Sequence, residues 1–306
     1  MERYRSILVG VDFTPCSAAA LRQAMRLAAA SNADLRVVHV VDTQIALEME
    51  GALTQMQSGI RDGLIADARR AWREFALQVP EASNLTIEVS VEHRVFGLIR
   101  RAYEAAADLL VIGAFGNRRP DVGVGTVATA CVRHASCDVL LVRDTHQGGY
   151  STIVAPVDFS ETSRRALERA AQIAQQDHAK LHVVHVFGPP WDRYHYRAPT
   201  PHADPQFMER CKRLLSQRVC EFVKPIQDAS PNLSVTCELS HAGRHRSGIV
   251  EYADRVRADL ICLGTRGQSN IRDILLGSTA EKALLHSQCS ILAVRPDANV
   301  SALPAG

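Results

Sequence analysis

Leu260-Ile261-Cys262-Leu263-Gly264-Thr265-Arg266-Gly267 is followed, after nine residues, by Gly277-Ser278-Thr279. The apolar run 260–263 reads as a buried parallel strand, and Thr279 to His286 reads as a helix. Between them stands a loop bounded by glycines. Glycine lets a backbone approach a ligand closely and adopt positive φ. The first amides of a helix have no intrahelical acceptor and point toward an anion. Strand, glycine loop and helix start together predict a phosphate cradle and hence a bound nucleotide. The bland alternative makes Gly264 and Gly267 plain turn residues and Ser278 an N-cap, a role compatible with phosphate binding.

The same blocks occur earlier in the chain. Ser6-Ile7-Leu8-Val9-Gly10-Val11-Asp12-Phe13-Thr14 matches Thr152-Ile153-Val154-Ala155-Pro156-Val157-Asp158-Phe159-Ser160 at an offset of 146. Val37-Val38-His39-Val40 matches Val183-Val184-His185-Val186 at the same offset. Ala107-Asp108-Leu109-Leu110-Val111-Ile112-Gly113 matches Ala258-Asp259-Leu260-Ile261-Cys262-Leu263-Gly264 at 151, and Cys137–Arg143 matches Cys289–Arg295 at 152. Preserved order with small changes of offset indicates a duplicated domain. The polar, glycine-bearing segment 144–150 is the join, giving domains over 1–145 and 150–297.

Each half alternates apolar strands with helical patterns. The first has strands at 7–11, 35–41, 85–91, 109–112 and 139–142, with helices at 17–31, 59–79, 98–107 and 127–134. The second has strands near 152–157, 180–187, 233–239, 259–263 and 290–294. Such alternation predicts an α/β class: two tandem open five-stranded parallel sheets, Rossmann-like, with helices on both faces. Ligands of such sheets bind beyond the carboxyl ends of the strands, where Asp158, Val186 and Gly264 all fall.

Length and composition set bounds. The chain has 306 residues, is 46% hydrophobic and 22% charged, and has a net charge of +2. That charge gives no case for nucleic acid as a partner. No apolar run suits a signal peptide or a membrane helix. The eight cysteines include no Cys-x-x-Cys pair, and Cys262 and Cys289 sit in apolar runs. This suits a reducing compartment, and a cytoplasmic location is expected.

The blocks Pro156-Val157-Asp158-Phe159-Ser160, Val183-Val184-His185-Val186 and Gly264-x-x-Gly267-x9-Gly277-Ser278 resemble the universal stress protein family, its ATP-binding branch especially. The resemblance spans nearly the whole chain as two copies. It implies an adenine nucleotide, ATP or else ADP or AMP, held across the strand ends, with Mg²⁺ on the phosphates. Pro156, Val157 and Asp158 would lie against adenosine, and Val186 would offer its backbone to adenine. Gly264, Thr265, Arg266, Gly267, Gly277, Ser278 and Thr279 would surround ribose and phosphates. It also implies domains paired through their last strands and further self-association, with an unnamed protein partner reading the bound state.

The first half departs from this pattern. Gly113-Ala114-Phe115-Gly116 is separated from Gly125-Thr126 by only eight residues, which include Pro120 and Gly123. A deletion there is expected to re-aim the loop amides. Asp12, Val40, Gly113, Gly116, Gly125 and Thr126 therefore mark a second site of weaker expectation, and binding should be unequal between the halves.

Other features carry plainer readings. Asp158 is a helix cap or a nucleotide contact, and its recurrence as Asp12 favours contact. Arg266 and Arg272 neutralise phosphate or are solvated. His39 and His185, at equivalent strand positions, read as structural repetition. His202, His241 and His245 lack metal-site spacing, so no side-chain metal site is expected. Trp191-Asp192-Arg193-Tyr194-His195-Tyr196 reads as a long loop rather than a lid, while its counterpart over 44–56 reads as more helical. No Gly-x4-Gly-Lys-Ser/Thr loop or nucleophile–base set is evident. A nucleotide-binding regulator is therefore preferred to a slow ATPase or other nucleotide-dependent enzyme, or to a dimerisation module without ligand.

Overall fold

A computed structural model of the chain describes residues 3–52, 59–117, 123–187, 205–241, 248–266 and 276–296. The chain divides into two compact units, Glu2–Gly148 and the part from Gly149 onward.

The first unit runs β1 (Ser6–Gly10), α1 (Pro15–Ser31), β2 (Asp34–Asp42), α2 (Thr43–Ala52), α3 (Ile60–Ala76), β3 (Ile87–Glu92), α4 (Arg94–Glu104), β4 (Leu109–Gly113), α5 (Thr126–His134) and β5 (Asp138–Val142). Its sheet has the order β3-β2-β1-β4-β5, and every pairing is parallel. The second unit runs β6 (Thr152–Pro156), α6 (Glu161–Asp177), β7 (Lys180–Phe187), α7 (Pro205–Ala229), β8 (Val235–His241), α8 (Gly248–Val256), β9 (Leu260–Gly264), α9 (Ser278–His286) and β10 (Ser290–Val294). Its order, β8-β7-β6-β9-β10, repeats the first and is again all parallel.

The central strands β1, β4, β6 and β9 are apolar almost throughout because both faces are covered. Ile7, Leu8, Val9, Leu109, Leu110 and Val111 are at most 1% exposed, as are Ile153, Val154, Ala155, Leu260, Ile261 and Cys262. Two glycines show which helix covers which face. A Cβ on Gly10 would meet Leu98 of α4, whereas a Cβ on Gly113 would meet Cys16 of α1 at 2.9 Å. Gly10 is in register with Ile112, so Gly113 points to the opposite face. Helices α1 and α4 therefore lie on opposite sides of the sheet.

The start of each first strand is pinned in the same way. Asp108 Oδ2 accepts from the amides of Arg5 and Ser6, and Asp259 accepts from the amides of Ser151 and Thr152. Chain direction across the sheet reverses between β1 and β4, and between β6 and β9. Open parallel sheets leave a crevice at that switch point.

The elements differ from the sequence pattern mainly at their ends. Helix α4 begins at Arg94, four residues before the expected 98, because the pattern marked only its core-facing part. It stops at Glu104 rather than 107, since Ala106 is left-handed with φ 45°. Ser278 is the first helical residue of α9 and Gly277 is its cap, not the reverse. The helix expected over 44–56 is α2. Residues 53–58 and the segment 191–196 lie outside the described residues.

Leu260 is completely buried in β9. Leu260→Ala is expected to cost about 2–5 kcal/mol in urea unfolding of the second unit. A loss under about 1 kcal/mol would mean that the sheet face is not packed as described.

Candidate functional site

At the end of β1 and of β6 the chain turns through the same corner. Asp12 Oδ1 accepts from the Thr14 amide at 3.2 Å and from its hydroxyl at 2.5 Å. Asp158 Oδ1 accepts from the Ser160 amide at 3.0 Å and from its hydroxyl at 2.5 Å. Thr14 and Ser160 then cap α1 and α6, accepting from the amides of Ser17 and Ser163. The aspartates are therefore not the caps themselves. Each orients the cap one step on and so fixes the helix start. In the first unit the other oxygen faces the loop after β4, where a Cβ on Gly116 would lie 2.9 Å from Asp12 Oδ2. Helix support and exposure to the crevice are thus combined in one carboxylate.

Between each aspartate and its cap sits a phenylalanine with positive φ, Phe13 at 63° and Phe159 at 65°. Left-handed backbone costs a residue with a Cβ roughly 1–2 kcal/mol. Stacking offsets that cost. Phe13 lies 4.5 Å from the His39 ring and 5.6 Å from Phe75, and Phe159 lies 4.6 Å from His185 and 5.6 Å from Phe222. Each histidine is tied back to the corner: the Nδ1 atoms of His39 and His185 lie 2.8 Å from the carbonyl oxygens of Val11 and Val157. A carbonyl only accepts, so Nδ1 carries the hydrogen in both rings. Burial holds His39 below the usual histidine range, outweighing the Val11 carbonyl and the Asp12 charge, which raise it.

The glycine loop is clasped at its two ends. The Gly277 amide donates to the Thr265 carbonyl at 2.8 Å, and the Gly125 amide donates to the Ala114 carbonyl at 2.7 Å. Thr265 and Ala114 are tied in turn to the last strands, their amides donating to Val294 and Val142. Gly264 lets this arrangement approach α6, since a Cβ there would meet Thr162 Cγ2 at 2.9 Å. Helices α5 and α9 thus start beside the ends of β4 and β9. Both have glycine caps with no side-chain cap hydrogen bond among the described residues. Helices α1 and α6 are capped from within; α5 and α9 are not.

The residues read from the sequence fall into two groups. Asp158, Gly264, Arg266, Gly277, Ser278 and Thr279 gather around the β6–β9 switch point. The ladder between β6 and β7 ends at Pro156 and Val184, closed by the Val157 amide on the Val184 carbonyl. Val186 lies two residues further, opposite Ser240 of β8. Val40 stands in the same relation to β1, opposite Ser90. Two side chains read as contacts are turned inward instead. Val157 is buried, and its carbonyl accepts from His185. Thr265 is 2% exposed and its hydroxyl donates to Val294. Both shape the crevice from below. Gly267, Arg272, His202 and His245 lie outside the described residues. Among the described residues no group of three or more His, Cys, Asp or Glu could hold a metal ion.

The first unit keeps the clasp despite its shorter loop, so the deletion leaves the start of α5 in place. What changes is the side chain beside the strand end. Phe115 stands where the second unit has Arg266, and it is 6% exposed. The Arg143 guanidinium lies over that ring at 5.7 Å, and its Nη2 donates to the Gly123 carbonyl at 2.6 Å. Gly123 itself has φ 84°, which suits glycine. A cleft of about 410 Å³ opens at the first turn of α5, lined by Thr126, Val127, Asp42, His93 and Arg94 among others. Asp42 and Arg94 pair across its wall at 2.9 Å. Sequence reading missed these two, and it missed the phenylalanine corner. The doubled Asp-Phe-Thr/Ser was the available signal for the corner; a lone ion pair leaves none.

The sequence profile of the universal stress protein family matches residues 3–143 and again residues 149–295. The chain belongs to the universal stress protein family. A full-length relative, a universal stress protein of Mycobacterium tuberculosis, is 25% identical over 296 residues, covering 94% of this chain and 96% of that protein. Universal stress protein A homolog 1 of Coxiella burnetii is 32% identical over 142 residues, 45% of this chain and 96% of its own length. Among solved structures, a universal stress protein from Archaeoglobus fulgidus has a TM-score of 0.63 at 16% identity, covering 95% of this chain and 98% of that one, which shows the fold. No helix among the described residues is long and apolar enough to cross a membrane.

Because His39 is kept neutral by burial, an unfolded chain binds its proton first as pH falls below about 6.5. Stability is therefore lost from roughly pH 7 towards pH 5. His39→Gln should unfold more easily at pH 7 and show a shallower decline between these values in denaturant titrations. An unchanged slope would show that His39 does not carry the dependence.

Proposed function

We propose that this universal stress protein is a nucleotide-binding regulator whose second unit holds an adenine nucleotide, ATP in the first instance, with Mg²⁺ on the phosphates. The observation that carries this reading is the start of α9. Its amides have no side-chain cap among the described residues, and the Gly277–Thr265 clasp holds them beside the end of β9. Such a helix start favours an anion through its orphan N–H groups and its dipole. Ser278 and Thr279 add hydroxyls there, and Arg266 adds a cation suited to phosphate. Asp158 stands at the neighbouring strand end for a polar part of the nucleoside, and the backbone of Val186 extends beyond the β6 ladder for the base.

The first unit has the same frame with no cation at the position of Arg266. Its Phe115 replaces Arg266, and Arg143 is engaged with Gly123. Unequal binding follows, with the second unit the tighter. A bound nucleotide then biases one conformation of the second unit, and a partner protein reads it. The site residues described offer a cradle for an anion, and binding is the assigned role.

Isothermal titration of the full chain with ATP and Mg²⁺ tests this, with about one tight site per chain expected. Gly277→Asp places a carboxylate at the cap of α9. Asp is a good N-cap, so folding should survive while the anion site is filled from within. Affinity should fall at least tenfold, about 1.4 kcal/mol, and Gly125→Asp should have a smaller effect. Absence of binding by ATP, ADP and AMP, or unchanged affinity in Gly277→Asp, would reject the reading.

A further inference from the structure

All eight cysteines are free thiols. Two pairs among them lie near enough for one thiol to raise the other, and accessibility separates the pairs. Cys131 of α5 and Cys137 before β5 are 0% and 6% exposed. Burial pushes the Cys131 thiol up to about 12, with Cys137 adding to the rise, so this pair is closed to solvent and stays protonated. Cys220 and Cys237 differ. Cys220 is exposed on α7, Cys237 is half-buried on β8, and α7 packs against that strand. The thiols meet across this helix–strand contact. Burial raises the Cys237 thiol first, and the charge of Cys220 and a side-chain hydrogen bond with it raise it further, to about 11. Cys237 therefore keeps its proton and donates it toward the Cys220 sulfur. The exposed sulfur is the one able to meet an oxidant, with a second thiol already against it.

We propose that Cys220 and Cys237 are a site of reversible oxidation, closing to a disulfide when the protein meets a hydroperoxide and so fastening α7 to the edge strand β8. The Cys220 thiolate attacks the outer peroxide oxygen. The O–O bond breaks, the alkoxide or hydroxide leaves with a proton, and Cys220 becomes a sulfenic acid. The Cys237 sulfur then attacks Cys220, the S–O bond breaks, and hydroxide departs with the Cys237 proton as water. Two thiols and one hydroperoxide give one disulfide, one alcohol or water, and one further water. A reducing compartment suits such a device, since disulfides there are transient and regulatory. The bond would also act on the corner beside Asp158: Phe222, two residues from Cys220, packs on Phe159, and the guanidinium of Arg218 lies 4.2 Å over the Phe159 ring. Oxidation at this pair requires no bound nucleotide.

The test uses the full chain and hydrogen peroxide. After treatment, free thiols are alkylated and the protein is digested with trypsin without reduction. Lys224 precedes Pro225 and resists cleavage, so both cysteines fall in one peptide, residues 219–244. The expected product is that peptide unalkylated and lighter by two hydrogen atoms, restored by dithiothreitol. Cys237→Ser should stop at a sulfenic acid on Cys220 that dimedone traps, Cys220→Ser should give neither product, and Cys131→Ser should behave as the parent. Alkylation of both cysteines after peroxide, over-oxidation of Cys220 with Cys237 still alkylated, or preferential loss of Cys131 and Cys137 would each overturn the proposal.

Discussion

A single carboxylate oxygen sets the geometry of each unit. Oδ1 of Asp12 or Asp158 holds the hydroxyl that caps the next helix, and that helix start is what the glycine ending β4 or β9 packs against. Without that hydrogen bond the cap hydroxyl would be free to turn away, and the first turn of α1 or α6 would fray. The surface that fixes Gly113 or Gly264 would then move. The loop clasp, the start of α5 or α9 and the crevice between them all rest on that placement. The structure is thus a chain of dependent positions, with the aspartate at its root.

Much of this was legible in the residues. The strands announced themselves because parallel strands buried on both faces cannot alternate polar and apolar side chains, as Leu109–Ile112 and Leu260–Leu263 show. The duplication exposed itself through matching blocks, and those blocks carry the corner. The illegible parts have physical reasons. A left-handed phenylalanine is an unfavourable local choice, stabilised by a histidine 26 residues further on and by a second phenylalanine still further along, so local propensity argues against it. Thr265 looks like a loop hydroxyl in sequence, yet the Val294 carbonyl draws it inward. The start of α4 at Arg94 was hidden because its first residues face solvent or the cleft and lack the apolar period of the rest.

The two units also show how a duplicated site can diverge without losing its frame. Shortening the loop between Gly116 and Gly125 left both clasps intact, because the clasp joins residues at the strand end and the helix start, outside the altered segment. Divergence entered through side chains: Phe115 for Arg266, and the Arg143 guanidinium turned to Gly123. Backbone architecture was kept while the side chain beside the strand end changed, a simpler route than rebuilding a turn.

A helix whose first amides are left without an internal cap has one further consequence. An occupant bound at that end would add to its stability. For an occupant at a hundredfold its dissociation constant, the gain is about 2.7 kcal/mol, a large fraction of the margin by which a domain stays folded. With the proposed nucleotide at that end, helix α9 and its glycine cap would tie the stability of the second unit to the concentration of its ligand. Under that proposal, a change in ligand concentration would register as a change in stability before any partner is engaged.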